Sequence, residues 1–215
     1  MKKLIIYLKS SVLVLMILLA SSRAKSEERD LADYCMVGYY ASSATATFKT
    51  PFIIDFGANN TFNKLEVDGK LHQGKYTIAG GNLKLAFAGG EENYQINGET
   101  VTPKNSRTFA RLERKVADNK LKGNRYTGIL YRQNATTVLR SNYQFIANKF
   151  GMSDENTKGM AFNEYTLVGS MAGYRLAGIK SLYARNLFVQ YGNQLLVMNI
   201  YKDGGVTYGI LDQGN

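Results

Sequence analysis

The single imidazole and the single thiol of this 215-residue chain limit the chemistry that its side chains can perform. One His and one Cys do not supply the nitrogen and sulfur ligands of a typical zinc site. A Ser-His-Asp arrangement would need His72, which lies in a loop-like Asp-Gly-Lys-Leu-His context, and the chain has no nucleophile elbow. We therefore expect no metal, no cofactor and no nucleophilic catalysis.

Carboxylates are the remaining groups with catalytic potential, because glycoside hydrolysis needs only two acids that face each other. Asp55, Glu66 and Asp68 lie on or beside strands of the best-patterned region. Acids of this kind also keep a protein surface soluble, and no spacing rule separates the two roles. The sequence favours a non-enzymatic binding module over an enzyme.

Positive charge is concentrated in residues 104–140, which contain ten basic and two acidic residues. Such a stretch attracts anions, and the planar fork of arginine grips phosphate, sulfate or carboxylate with two hydrogen bonds. The predicted partner is an anionic glycan or lipid surface, and nucleic acid is not expected for an exported protein. The alternative is a solvated outer strand face that blunts a sheet edge. The predicted anion-binding residues are Arg107, Arg111, Arg114 and Arg125.

The N-terminus predicts export. Lys2, Lys3 and Lys9 precede the apolar run Ser11 to Ala20, and Ser22-Arg23-Ala24 then offers a cleavage site. A membrane anchor is the alternative, but the run is shorter than the roughly 20 apolar residues of a spanning helix. We expect a signal peptide over 1–24, a tail or short capping segment over 25–34, and a periplasmic or secreted β domain over 35–215.

The elements that would position these residues are short strands joined by tight turns. Residue pairs that tolerate positive φ separate β-rich segments and predict antiparallel hairpins. The fold class is therefore all-β, an antiparallel meander that forms a barrel or a barrel-like sandwich, with a possible divide near 147–159, where no periodicity is present. The turn pairs are Asp68-Gly69, Gly80-Gly81, Gly89-Gly90, Asn97-Gly98, Gly192-Asn193 and Asp203-Gly204.

Two hairpins are best defined. In one, Leu83, Leu85 and Phe87 alternate with Asn82, Lys84 and Ala86, and this strand pairs with residues 75–79 across Gly80-Gly81. In the other, residues 195–201 pair with 206–210 at the end of the chain. An outer-membrane β-barrel is a rival architecture. Its strands need 9 to 11 residues, and many of the predicted strands are shorter.

The stretch from Phe52 to Phe87, FIIDFGANNTFNKLEVDGKLHQGKYTIAGGNLKLAF, resembles the bacterial lipocalin-like barrels. Gly38-Tyr39-Tyr40 stands where that family carries Gly-x-Trp, so the tryptophan is missing. The resemblance implies a closed up-and-down meander with a cup for a small apolar or amphipathic ligand. Alternate positions share a face, and the same side chains would otherwise fill a solid core. The predicted ligand contacts are Phe52, Ile54, Tyr76, Ile78, Leu83, Leu85 and Phe87.

Overall fold

The computed structural model describes residues 30–104, 107–133, 138–155, 159–177 and 182–214. The predicted signal peptide over 1–24 lies outside these residues. Within them, every regular element is a β-strand except one turn of 3-10 helix, Leu31–Asp33. None of these elements is a helix of the length and apolarity required to cross a membrane. The prediction of an all-β antiparallel fold is confirmed.

The first eight strands form a closed up-and-down barrel. Each strand pairs with the next one along the chain, and β8 returns to pair with β1, so that Gly38 lies between Phe52 and Ala110. The strands are β1 Tyr34–Tyr40, β2 Thr50–Gly57, β3 Thr61–Glu66, β4 Leu71–Ala79, β5 Asn82–Phe87, β6 Gly90–Asn97, β7 Thr100–Pro103 and β8 Thr108–Arg114.

Tight turns at the predicted glycine pairs connect these strands. Gly69, Gly80 and Gly98 all adopt positive φ, which glycine tolerates because it has no Cβ. The predicted hairpin around Gly80-Gly81 is confirmed, since Tyr76 faces Leu85 across β4 and β5. This register brings alternate side chains of both strands to the inside of the barrel.

The remaining nine strands form a second sheet in the order β12-β11-β10-β9-β17-β16-β15-β14-β13. Its two edge strands, β12 and β13, are separated in the chain by Tyr165 alone, so the sheet curls into a nearly closed barrel. The strands are β9 Arg125–Arg132, β10 Val138–Ile146, β11 Lys149–Asp154, β12 Ala161–Glu164, β13 Thr166–Val168, β14 Ala172–Leu176, β15 Tyr183–Tyr191, β16 Gln194–Tyr201 and β17 Val206–Gln213.

The change from the first sheet to the second occurs between Arg114 and Arg125, earlier than the stretch 147–159. Once β8 has paired with β1, the first barrel has no edge left for β9, so the following strands form their own sheet. Ala147 and Asn148 instead make the turn of the β10–β11 hairpin. The predicted C-terminal hairpin is present, and β17 lies in the middle of the second sheet, between β16 and β9.

The core consists of three apolar clusters, of which one joins the two sheets. One fills the inside of the first barrel, where Leu31 of the 3-10 helix is fully buried at one end. A second lies inside the second sheet and contains Tyr143 and Phe188. The third lies between the sheets, where Val37 and Ile53 on the outside of the first barrel meet the outer face of the second sheet.

Candidate functional site

The seven side chains predicted as ligand contacts all lie inside the first barrel. Five of them are buried, and Ile78 and Phe87 are half-buried against the same cluster. Rings from strands that are not neighbours meet there, as Phe56 of β2 and Tyr76 of β4 do, with centroids 5.1 Å apart. An eight-stranded barrel is just wide enough for side chains to fill. The structure thus brings these residues together as a core, and their contact with a ligand stays a prediction.

A charged side chain lies in this apolar interior. Lys64 on β3 is only 3% exposed, and its ammonium lies 2.5 Å from Glu92 Oε1 and 3.0 Å from Glu66 Oε1. Tyr40 donates a 3.0 Å hydrogen bond to Glu66 Oε1, and Tyr94 donates one of 2.8 Å to Glu92 Oε2. We call these five residues the Lys64 cluster. Each charge in the cluster has a partner, as burial of charged groups requires.

Aromatic rings surround the ammonium on its remaining sides. The Lys64 Nζ lies 5.4 Å from the centroid of the Tyr40 ring and 5.9 Å from those of Phe52 and Phe87. The negative faces of such rings attract a cation, more strongly when water is excluded. The rings therefore add to the two carboxylates in fixing the position of the ammonium.

The tyrosine hydroxyls of the cluster act as donors only. Burial, and next the charge of Glu92, raise the pKa of Tyr40 and of Tyr94 well above the ordinary value. Both hydroxyls consequently keep their protons at physiological pH and hold the carboxylate oxygens in place.

A pocket of about 200 Å³ opens directly above the Lys64 cluster. It lies where β1, β3, β5 and β7 end, which is the end of the barrel opposite Leu31, and we call this end the mouth of the first barrel. The pocket combines two ring faces with carboxylate, amide and hydroxyl groups. Its lining residues are Tyr40, Glu91, Glu92, Asn93, Tyr94, Pro103, Lys104 and Thr108.

A wider groove of about 490 Å³ lies between the two sheets, under the loop that joins β1 to β2. Its floor is the outer face of β9 and β17, with Ile129, Tyr131 and Ile210, and its polar rim includes Lys49 and Asp212. No buried charged network supports this groove among the described residues that line it. The mouth of the first barrel is the better candidate, because its polar groups are held in place from below.

The four arginines predicted to bind anions do not converge on one surface. Arg107 precedes β8 and Arg114 ends it, so about 20 Å of strand separates them. Arg111 lies on the outer face of β8, whereas Arg114 lies on the same face as Leu112, which points into the barrel. Arg125 begins β9 in the second sheet.

Acidic residues pair with many of the bases of this stretch, Arg111 among them. Some of these acids come from distant strands, and they reduce the local positive charge that composition suggested. The pairs are Arg111 with Glu99 and Glu113, Lys115 with Asp55, Lys120 with Glu113, Lys122 with Asp118, and Arg132 with Asp203.

The carboxylates considered for catalysis are also separated. Asp55 pairs with Lys115 at 2.7 Å on the outside of the first barrel, Glu66 lies inside it, and Asp68 is in the exposed β3–β4 turn. His72 is not a loop residue, because it lies on β4 opposite Lys64 with its ring 5.6 Å from that of Phe87. Across the described ranges, no three His, Cys, Asp or Glu side chains are grouped to hold a metal ion.

Lys64 was not among the residues singled out from the sequence. A single lysine in a strand is ordinarily a surface residue, and Glu92 is 28 positions away along the chain. The available signal was alternation: Phe62, Lys64 and Glu66 occupy the same face of β3, and Phe62 is apolar. A charge pair that shares a face with a buried ring indicates a buried ion pair.

No family model matches the chain, and no curated protein or solved structure is significantly similar to it. The classification therefore rests on the strand order itself: a closed antiparallel barrel of eight strands, followed by a nearly closed sheet of nine. This topology is compatible with a lipocalin-like barrel, and the pocket at its mouth is the site from which a function can be argued.

Proposed function

We propose that the chain is an exported, lipocalin-like binding module whose first barrel takes a small amphipathic ligand at its mouth. The observation that carries the proposal is that Glu92 both lines the mouth pocket and is held at 2.5 Å by the buried Lys64. A polar group fixed in this way is ready to bind, so little ordering is needed when a ligand arrives.

The size of the pocket limits the ligand. Pockets that bind drug-sized molecules have volumes of roughly 300 to 1,000 Å³. The mouth pocket measures about 200 Å³. With the barrel interior occupied by its own side chains, the ligand has the size of one ring or a short chain.

The lining sets the polarity of the ligand. Tyr40, Tyr94 and Pro103 offer apolar surface, while Glu91 and Glu92, which pair with Lys84 and Lys64, offer carboxylate oxygens as hydrogen-bond acceptors. A ligand with an amine or hydroxyl group matches this set, because those groups donate hydrogen bonds to carboxylates. A carboxylate ligand has no proton to donate to Glu91 and Glu92, which only accept hydrogen bonds.

Three probes that share one ring and differ in the polar group test the proposal: benzylamine, benzyl alcohol and benzoate. Isothermal titration with the full chain is expected to rank them in that order of affinity. Glu91→Gln and Glu92→Gln should each weaken benzylamine about tenfold, since a hydrogen bond to a charged group contributes about 1.5 kcal/mol or more.

Glu155→Gln is the matched control, because Glu155 is exposed at the end of β11 in the second sheet. Circular dichroism is used to check that each variant is folded. Tighter binding of benzoate than of benzylamine, or equal binding by all variants, would contradict the proposal, as would no binding at millimolar concentration.

Export is tested separately. Mass spectrometry of the protein recovered from the periplasm or the culture medium is expected to give a mature N-terminus at Lys25. Retention of residues 1–24 on protein found only inside the cell would contradict export without affecting the ligand proposal.

A further inference from the structure

A row of polar side chains crosses the inner face of the second sheet. Arg175, Asn186, Asn199 and Thr207 lie opposite one another on β14, β15, β16 and β17. Asn186, Asn199 and Thr207 are at most 1% exposed. Polar groups buried this deeply need hydrogen-bond partners, and here the row supplies its own.

The hydrogen bonds of the row run in one direction. Arg175 Nη1 donates to Asn186 Oδ1 at 3.4 Å, and Asn186 Nδ2 donates to Asn199 Oδ1 at 2.8 Å. Asn199 Nδ2 then donates to Tyr143 Oη at 2.9 Å and to Thr207 Oγ1 at 3.2 Å. One hydrogen bond thus joins the two amides, and it leaves the Asn186 carbonyl oxygen facing the guanidinium at the open end of the row.

Arg175 is the member of the row whose charge is not balanced. In the parts of the chain that the structure describes, no carboxylate lies within ion-pairing distance of it, whereas Arg111 and Arg132 both pair with acids. The residue is half-buried, and burial lowers the pKa of its guanidinium with no carboxylate to offset the effect. A positive charge that has lost part of its water without gaining an acidic partner favours an anion from solution.

Aromatic surface lies beside this position. Tyr183 and Tyr201 face each other on β15 and β16, nearer the strand ends than Asn186 and Asn199, with ring centroids 4.7 Å apart. Tyr201 lies on the same face as Asn199, two residues before it on β16, and therefore on the face of Arg175. An anionic ligand with an apolar part would find surface for both parts here.

We propose that the open end of the polar row in the second sheet is an oxyanion site, in which Arg175, oriented by Asn186, binds the carboxylate or phosphate group of an amphipathic molecule. Carboxylate and phosphate each present two oxygens at a spacing that matches the two-pronged guanidinium. The site is independent of the mouth of the first barrel and has the opposite charge preference.

Phenyl phosphate and phenylacetate are the probes, titrated calorimetrically into the full chain at low and high salt. At least one is expected to bind, with an affinity that falls as salt rises. The tighter of the two identifies whether the site suits phosphate or carboxylate. Benzylamine, titrated in parallel, reports on the mouth of the first barrel. Failure of one binding proposal can therefore be distinguished from failure of the other.

Arg175→Gln should weaken the bound probe about tenfold or more, and Arg175→Lys should give an intermediate loss, because lysine keeps the charge but not the fork. Arg140→Gln is the control, since Arg140 is exposed on β10 and lies out of the row. No binding of either probe to the wild-type chain, or equal losses in Arg175→Gln and Arg140→Gln, would overturn the proposal. If Arg175→Gln does not fold, Arg175→Lys carries the same comparison.

Discussion

Replacement of Lys64 by methionine tests the most demanding feature of the first barrel. Methionine matches the length of the lysine stem but leaves Glu66 and Glu92 without the ammonium that they share at 3.0 and 2.5 Å. Removal of one partner from a buried ion pair costs about 3 to 5 kcal/mol of unfolding free energy. Both carboxylates keep 27 to 28% of their side-chain surface exposed, which places the expected loss for Lys64→Met near the lower end, about 3 kcal/mol.

The assay is urea unfolding followed by circular dichroism, with thermal melting as a second measurement. For a chain of this length, about 3 kcal/mol corresponds to a fall in Tm of roughly 6 to 12 °C. Lys64→Met combined with Glu66→Gln and Glu92→Gln removes all three charges and should recover more than half of the loss, because no carboxylate is then left unpaired.

Lys70→Met is the control, since Lys70 and Asp68 form an exposed pair on the β3–β4 turn and such pairs contribute at most about 1 kcal/mol. Two results would refute the reasoning. One is a loss in Lys64→Met no larger than in Lys70→Met; the other is a triple variant less stable than the single one.

Three further outcomes are expected. Cys35 should not react with iodoacetamide at pH 8 until the chain is unfolded, because burial, and next the charge of Asp55, raise the pKa of its thiol. Mass spectrometry of native and denatured samples measures the alkylation, and alkylation of the native chain would contradict the prediction. Burial raises the pKa of Tyr126 to about 12, so its contribution to stability is full below pH 10, the unfolded value, and is lost as pH rises toward 12. Circular dichroism together with absorbance at 295 nm should therefore show alkaline unfolding accompanied by tyrosine ionisation, whereas full ionisation near pH 10 in a folded chain would refute it. Gly38→Ala should lower the free energy of unfolding by more than about 2 kcal/mol, since the added Cβ would lie 2.3 Å from the Phe109 carbonyl oxygen. Gly159→Ala is the control: a Cβ there would meet open space, and the loss should be under about 0.5 kcal/mol. Urea unfolding measures both, and equal losses would show that the barrel relaxes around the methyl group.

Local pattern was sufficient to predict the fold class and the inner face of the first barrel. The turn at Gly80-Gly81 fixes the register of β4 and β5, and the alternation of Leu83 and Leu85 with polar residues then identifies the inward side. Both signals act over a few residues, so they can be recognised in a single sequence.

The division into two sheets and the composition of the mouth depend on distant pairing. Nothing in β8 or β9 indicates that Arg111 pairs with Val37 or that Ile129 pairs with Ile210 near the end of the chain. The Lys64 cluster is assembled in the same way, from strands that only closure of the barrel brings together. For the same reason, local charge density did not show that the four predicted arginines would lie apart, on both faces of β8 and on β9. Their binding of anions stays a prediction.

The order of strand pairing has a consequence for synthesis on the ribosome. In the first barrel each strand pairs with the next one along the chain, and β8 then pairs with β1. This barrel can therefore close while the second half of the chain is still being translated. The second sheet must wait, because β9, its first strand, takes β17, the last one, as a neighbour. During that interval the outer face of the first barrel, with Val37, Ile53 and Leu65, is not covered by the second sheet. Until translation ends, this exposed apolar surface could bind chaperones or other nascent chains.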